Sequence, residues 1–348
     1  MNTKKLLPLA LLPIGIIPLI TISCSSNETT TQFEAEGLKI RSDGVVMGYA
    51  DEGIHSGPLE IKEEYNGVKI TEVDSSAFSR QKINGLTLPK TLVKIGDFAF
   101  IDIVSPVANT GETSVPWDLS HLTNLEYIGV SAFSPGFFNK KLNLDLNLSG
   151  LSKLKVIDDN VFSGLGLTSV DLRGLVNLET ISYRSFDENS IAKIYWPEDN
   201  KIKSIGDGAF NGNKLTELNF VSLNSLESVG ERAFASNSIK SIIWNNFSKI
   251  KSIGSSAFSA NQLSGELDLH DLINLEIIEE SAFNNNQITS IKWPTPSQIN
   301  SIALGAFADN NFGANIPKFP DGLTTETNGG ITPEQIFTNR VKKLPQTN

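Results

Sequence analysis

Apolar residues along this chain recur in one repeated figure. In "NKLTELNFVSLNSLESVGERAF", residues 213 to 234, Leu215, Leu218 and Phe220 form L-x-x-L-x-F, and Leu223, Leu226 and Val229 follow at intervals of three. The alternation at 218 and 220 predicts a short strand with every second side chain turned inward, and the later apolar residues mark a return path across an interior. The closing G-x-x-A-F predicts a tight turn into a short helical turn. Gly permits the bend, Ala allows close approach and Phe fills the layer.

The phenylalanines set one register for the whole body: Phe78, Phe100, Phe133, Phe162, Phe186, Phe210, Phe234, Phe258, Phe283 and Phe307. From Phe162 onward the spacing is 24 residues, with a single 25. A unit that short cannot close a core of its own, so it must bury its apolar side chains against copies on either side. Stacked copies would form a parallel sheet with a rise of about 4.8 Å per unit, hence about 45–50 Å for ten.

Two columns reinforce stacking. Asn189, Asn213, Asn237, Asn261, Asn286 and Asn310 each follow a phenylalanine by three residues, and such an amide can donate to backbone carbonyls in the bend and to the next amide. Trp196, Trp244 and Trp293 occupy a strand position held in alternate units by Leu172, Phe220 and Leu269. Strand alternation turns that position inward, so the indoles are expected to pack in the core.

The figure "L-T-x-L-x-L … L-x-x-I-G-x-x-A-F" resembles the BspA-type leucine-rich repeat, found largely in bacterial surface proteins, and residues 70 to 307 carry it in ten copies. The resemblance implies a right-handed leucine-rich-repeat solenoid, with a parallel β-sheet on one face and short turns or helical turns on the other. It also implies binding rather than catalysis, since some relatives are adhesins for host proteins. Residues 33–73 read as a β-rich N-terminal cap, residues 74–312 as the repeats, and residues 313–348 as a C-terminal cap and tail. Within that tail Thr332 is placed to cap a short helix that begins at Pro333.

The first 23 residues have a basic start at Lys4 and Lys5, an apolar run and small polar residues before Cys24, which is the layout of a secretory signal. "TISC" resembles a bacterial lipobox, which implies a diacylglycerol on the Cys24 thiol and the palmitate of a lipoprotein. Residues 24–32 then form a polar tether. Two acyl chains suffice for stable anchoring, and the body would lie on the extracellular face of the cell membrane.

Charge narrows the partners. A formal net charge of −10 without a Lys/Arg cluster excludes an electrostatic footprint for nucleic acid. The single cysteine rules out an intramolecular disulfide and a thiolate zinc cluster. His55, His121 and His270 lack ligand spacing, and no phosphate loop, nucleophile elbow or dinucleotide fingerprint occurs, so no enzyme activity, metal or cofactor is expected. The acid pairs Asp158-Asp159 and Glu279-Glu280 read as caps on the short helical turns.

If binding is the task, two surfaces qualify. The outward strand positions Asp171, Tyr195, Asn219, Ile243, Asp268 and Lys292 change from unit to unit while their neighbours repeat. Inserts at 105–114 and 134–141 would leave one edge of adjacent coils, the second bringing Phe137 and Phe138 beside Lys140 and Lys141. Adhesion to a host extracellular or cell-surface protein is the expected role, with a structural or antigenic surface protein lacking a dedicated ligand as the alternative.

Overall fold

The computed structural model describes residues 30–103, 117–135, 143–246, 248–314 and 316–338. It is a parallel β-solenoid of about ten coils, in which each pass of roughly 24 residues contributes very short strands that pair with the same strands of the coils before and after.

Each coil offers hydrogen bonds to its neighbour on three runs. The longest is a ladder of two-residue strands from Val156–Ile157 through Thr180–Ile181, Ser204–Ile205, Ser228–Val229, Ser252–Ile253 and Ile277–Ile278 to Ser301–Ile302, all parallel. Its alternation is simple: Ile205, Val229 and Ile253 are buried, while Ser204, Ser228 and Ser252 face outward and are half-buried. Strands from the L-x-x-L-x-F figure, such as Ser169–Asp171 and Glu217–Asn219, form the second run. The expected return path of the coil is thus itself strand-paired, and it carries the longer ladder.

The bend at G-x-x-A-F supplies the third run, and there the structure departs from the expected helical turn. Residues two before the phenylalanine take a left-handed backbone, including Arg184, Arg232, Ser256 and Ser281 at φ 49° to 57°. Those two after it do the same, as at Glu188, Ser236 and Ala260. Side-chain-bearing residues enter that region at a cost of about 1–2 kcal/mol each. Repeated hydrogen bonds hold them: the N–H groups of Arg232, Phe234 and Ser236 donate to the carbonyls of Ser255, Ala257 and Ser259 in the next coil. Gly206 has another use than bending. A Cβ there would lie 2.9 Å from the Ser182 carbonyl carbon and 3.0 Å from the Ile181 oxygen, so the glycine lets two coils touch.

Inside this frame the ten phenylalanines, all at most 1% exposed, form one stacked column. Centroids of consecutive rings are 5.1 to 5.8 Å apart and their planes lie within 16°. Phe337, from the helix Pro333–Phe337, adds an eleventh ring at 5.4 Å from Phe307. That helix has a capping box at Thr332 and Gln335, and its carbonyls accept from Gly305 and Phe307, so it closes the end of the last coil. At the other end Tyr49 meets Phe78 edge-on at 5.2 Å, and the His55 ring stacks on Tyr49 at 3.8 Å. The first strands, Gln32–Ala35, Leu38–Arg41 and Val45–Tyr49, are antiparallel, and Val45–Tyr49 then pairs in parallel with Glu72–Val73.

The asparagine column donates to carbonyls in the bend as expected, but not to the next amide. Asn237 donates from Nδ2 to the carbonyls of Phe210, Phe234 and Ala235, while its Oδ1 accepts the Leu215 N–H of the previous coil. Asn189, Asn261, Asn286 and Asn310 repeat this pattern. No amide in the column bonds to another amide, because main-chain partners already occupy both ends. The acid pairs also differ: with no helix beside them, Asp159 accepts from the Tyr183 N–H, and Glu279 from the Ser255 N–H and hydroxyl, all on adjacent coils.

A second chemical period overlies the first. The residue before each two-residue strand alternates from Glu126 through Lys155, Glu179, Lys203, Glu227 and Lys251 to Glu276, with Lys203 Nζ 2.8 Å from Glu179. From Leu172 to Leu269 the tryptophan coils carry lysine and the leucine or phenylalanine coils carry glutamate; outside that stretch Leu148 stands with Lys155 and Trp293 with Asn300.

Candidate functional site

The six outward positions lie on one run of strands, in register by pairs: Asp171 opposite Tyr195, Asn219 opposite Ile243, and Asp268 opposite Lys292. Asn219, Ile243 and Lys292 are exposed; Asp171, Tyr195 and Asp268 are half-buried by their neighbours. Arg173 holds Asp171 with Nη2 at 2.6 Å, and this hydrogen bond lowers the Asp171 carboxyl below its ordinary pKa while raising the guanidinium. The same guanidinium lies 5.2 Å from the Tyr195 ring, and Lys193 Nζ lies 4.5 Å from it. Farther along, Lys292 and His270 both reach Asp268, at 3.0 and 2.7 Å.

The pairs are separated by breaks, and tryptophan marks each one. Where the inward residue is Leu172, Phe220 or Leu269, its N–H donates to the carbonyl of the next coil, at Tyr195, Ile243 and Lys292 respectively. From Trp196 to Asn219 and from Trp244 to Asp268 the equivalent bond is not formed, and the ladder divides there into separate sheets. Each of these indoles also leans on the phenylalanine that closes its own coil: Trp196 meets Phe210 at 5.9 Å and Phe220 of the next coil at 6.2 Å. Tryptophan coils in turn lack the second leucine of the figure: Leu175, Leu223 and Leu272 have no leucine counterpart three residues after a tryptophan. At Trp196, three residues before Asp199, one indole therefore stands where other coils have two leucines and acts as a wedge at the break, whereas the Trp244 coil has Phe247 at the second position.

The expectation that all three tryptophans are core residues holds fully for Trp244, at 4% exposed. Trp196 and Trp293 are half-buried, packed against the core on one side only. At Trp196 the wedge leaves an open cleft of about 590 Å³, with Trp196, Leu218 and Leu215 among its apolar lining and Arg173, Lys193, Tyr195, Glu217 and Asn219 among its polar one. That volume lies in the range of small-ligand and peptide pockets. Tyr195 and Asn219 of the outward row thus face each other across a cleft. Arg173, Lys193 and Glu217 join them although periodicity alone did not single them out. The signal was present in "WPED", where Pro197 and Asp199 interrupt the leucine figure.

Phe137, Phe138, Lys140 and Lys141, the insert at 105–114 and Cys24 lie outside the described residues. His121 contacts the Leu88 carbonyl at 3.0 Å, and His270 sits between Asp268 and Asp271. Among the described residues no group of His, Cys, Asp and Glu side chains is placed to hold a metal ion. No described helix is long and apolar enough to cross a membrane.

Comparison with known proteins agrees with the coil. No curated protein sequence matches the chain. Solved structures do: a leucine-rich repeat protein from Bacteroides ovatus is 17% identical, spans 85% of this chain and 92% of its own, and has a TM-score of 0.27. The pneumococcal vaccine antigen PcpA is 16% identical over 91% of this chain and 93% of its own, with a TM-score of 0.38. A leucine rich cell surface protein from Faecalibacterium prausnitzii is 14% identical over 86% and 97%, with a TM-score of 0.28. Scores this low add nothing to the assignment, which rests on the sequence profile. The BspA type leucine rich repeat region, in six copies, matches residues 63–110, 131–264 and 179–313, more than half of the sequence, and the chain therefore belongs to that family.

Proposed function

We propose that this protein is a surface-displayed lipoprotein that binds another protein through the row Asp171 to Lys292, with adhesion to host proteins or cells as its role. A signal peptide over residues 1–23 would direct export, a diacylglycerol on Cys24 would hold the chain on the outer face of the membrane, and residues 24–32 would act as tether. The N-terminal cap at 33–73 would close one end of the repeats at 74–312, and the cap and tail assigned to 313–348 would serve the other, where the helix Pro333–Phe337 covers the last coil. One observation carries the reading: on strands whose inward residues are all large and apolar, the six positions of the outward row present five kinds of side chain beside an open cleft. Varied side chains on an invariant frame are how repeat proteins build recognition surfaces. The Tyr195 ring between Arg173 and Lys193 has the composition of an interface anchor.

The test is capture from serum and extracellular matrix by the immobilised protein. Retention of a defined protein at micromolar concentration is expected, and it should be lost when Tyr195→Ser, Ile243→Asp and Lys292→Glu are combined. Capture of nothing, or capture indifferent to those changes, overturns the reading. Metabolic labelling with a radioactive fatty acid, abolished in Cys24→Ser, checks the anchor separately.

A further inference from the structure

The three tryptophan coils pose the same problem in three states. Each indole lies at the junction between its own coil and the next, and the fate of its N–H is seen at Trp244 and Trp293. At Trp244 the ring is buried and its Nε1 has no partner. At Trp293 the gap is closed by the chain itself: Ile316–Pro320, with the sequence Ile-Pro-Lys-Phe-Pro, lies in the place of the next coil, and the Lys318 carbonyl accepts from Trp293 Nε1 at 3.0 Å. That stretch makes no strand pairing. Pro317 and Pro320 fix their own φ and favour extended backbone at Ile316 and Phe319. Beside Trp196 the gap stays open. The carbonyl that sequence spacing places opposite, that of Val221, is taken by the Asn245 side chain, and the cleft of about 590 Å³ remains.

From this we infer that the Trp196 cleft is a docking site for an extended, proline-containing peptide segment of a partner protein, held by a main-chain carbonyl on Trp196 Nε1. The inference rests on the protein-binding reading above and specifies its chemistry. Three features of the cleft fit that ligand. Trp196 and Tyr195 give it an aromatic lining, the kind of groove that accepts a preformed proline-rich segment. The ladder bond that would join the Trp196 N–H to the Asn219 carbonyl is not made, so a donor and an acceptor of the main chain lie free of each other at the break. A peptide backbone offers the complement of both. Finally, the chain already solves the same geometry at Trp293 with a segment of this composition, so the occupant has an internal precedent.

The experiment is calorimetric titration of the full chain, solubilised in detergent, with the synthetic peptide acetyl-Ile-Pro-Lys-Phe-Pro-amide and with its scrambled all-glycine-for-proline counterpart. Saturable binding of the proline peptide is expected, with the counterpart weaker. Trp196→Phe keeps a ring but removes the donor, and should weaken binding about fivefold or more, as expected for one lost hydrogen bond in a desolvated site. Tyr195→Ala, an outward residue with no core contact to lose, supplies a second variant and should also weaken it. No binding at millimolar peptide, or affinities unchanged in both variants, overturns the proposal. The outcomes also separate it from the broader reading. Serum capture that survives Trp196→Phe with no peptide binding removes the cleft and leaves the face, whereas peptide binding without any serum capture does the reverse.

Discussion

Between Val156 and Ile302 the two-residue strands pair over seven coils without a break, while the strands that carry the outward row fall into three separate sheets that part after Trp196 and after Trp244. Coil number, rise and the interior phenylalanines are common to both runs, so the difference comes from the side chains that each run turns inward. The closed run buries Ile181, Ile205, Val229 and Ile253, which differ little in size. The open run alternates Leu172, Trp196, Phe220 and Trp244, and the ladder parts on the far side of each indole, as where Trp196 meets Phe220. A repeat fold thus keeps one run uniform for stability and varies the size of a single inward residue on the other to make a cleft.

Emptying the interior column should harm the closed side most. Phe234 lies between Phe210 and Phe258, at 5.5 and 5.7 Å, and is fully buried. Phe234→Ala should lower the stability by about 3–5 kcal/mol in urea unfolding, since coils fixed on both sides cannot collapse into the void. Next is the asparagine column. Asn237→Ala strands the Leu215 N–H and the Phe210 carbonyl in a buried bend and should cost about 1–3 kcal/mol, read by the same unfolding curves.

A direct conversion of open to closed sharpens the comparison further. Replacing residues 196–202 by the sequence of Leu172–Leu178 restores both leucines, and the N–H at 196 should then donate to the Asn219 carbonyl. Hydrogen exchange at that amide should slow by about tenfold or more, and peptide binding should vanish. Unchanged exchange would mean that the indole does not cause the break. The smallest effect concerns Asp187, buried beside the bend. Burial raises its carboxyl above the ordinary range, against the Asn211 hydrogen bond and the Arg184 charge. A carboxyl raised in the folded state weakens folding as pH climbs from its unfolded value of about 4 through the folded value, and the loss persists at neutral pH. Asp187→Asn should therefore gain in Tm relative to the parent between pH 4 and pH 7, and show no gain at the acid end.

Most of this architecture could be read from residue order. Phe78 through Phe307 locate every coil, and Asn189 through Asn310 locate the turn that follows, because both columns obey a rule within one unit. Bond partners were less accessible: Asn237 looked able to join its neighbouring amides, and only the actual spacing shows main-chain groups occupying both its ends. The cleft was the least legible. Trp196 satisfies the inward pattern as well as Leu172 does, but its consequence falls on the distance between two coils, which no single unit encodes. Arg173 and Lys193 likewise become neighbours only when Tyr195 is stacked between successive turns.

The alternation of glutamate and lysine from Glu126 to Glu276, matched from Leu172 to Leu269 by the alternation of smaller side chains and tryptophan, sets how this protein can change length. Trp196, Trp244 and Trp293 are 48 and 49 residues apart, so removal or duplication of two successive turns between Glu126 and Glu276 leaves each lysine there next to a glutamate and each indole next to a smaller side chain. Loss of one turn would set lysine against lysine along the closed edge and indole against indole inside. The heritable brick is the doublet, and lineages that lengthen or shorten this rod should do so in even numbers of turns.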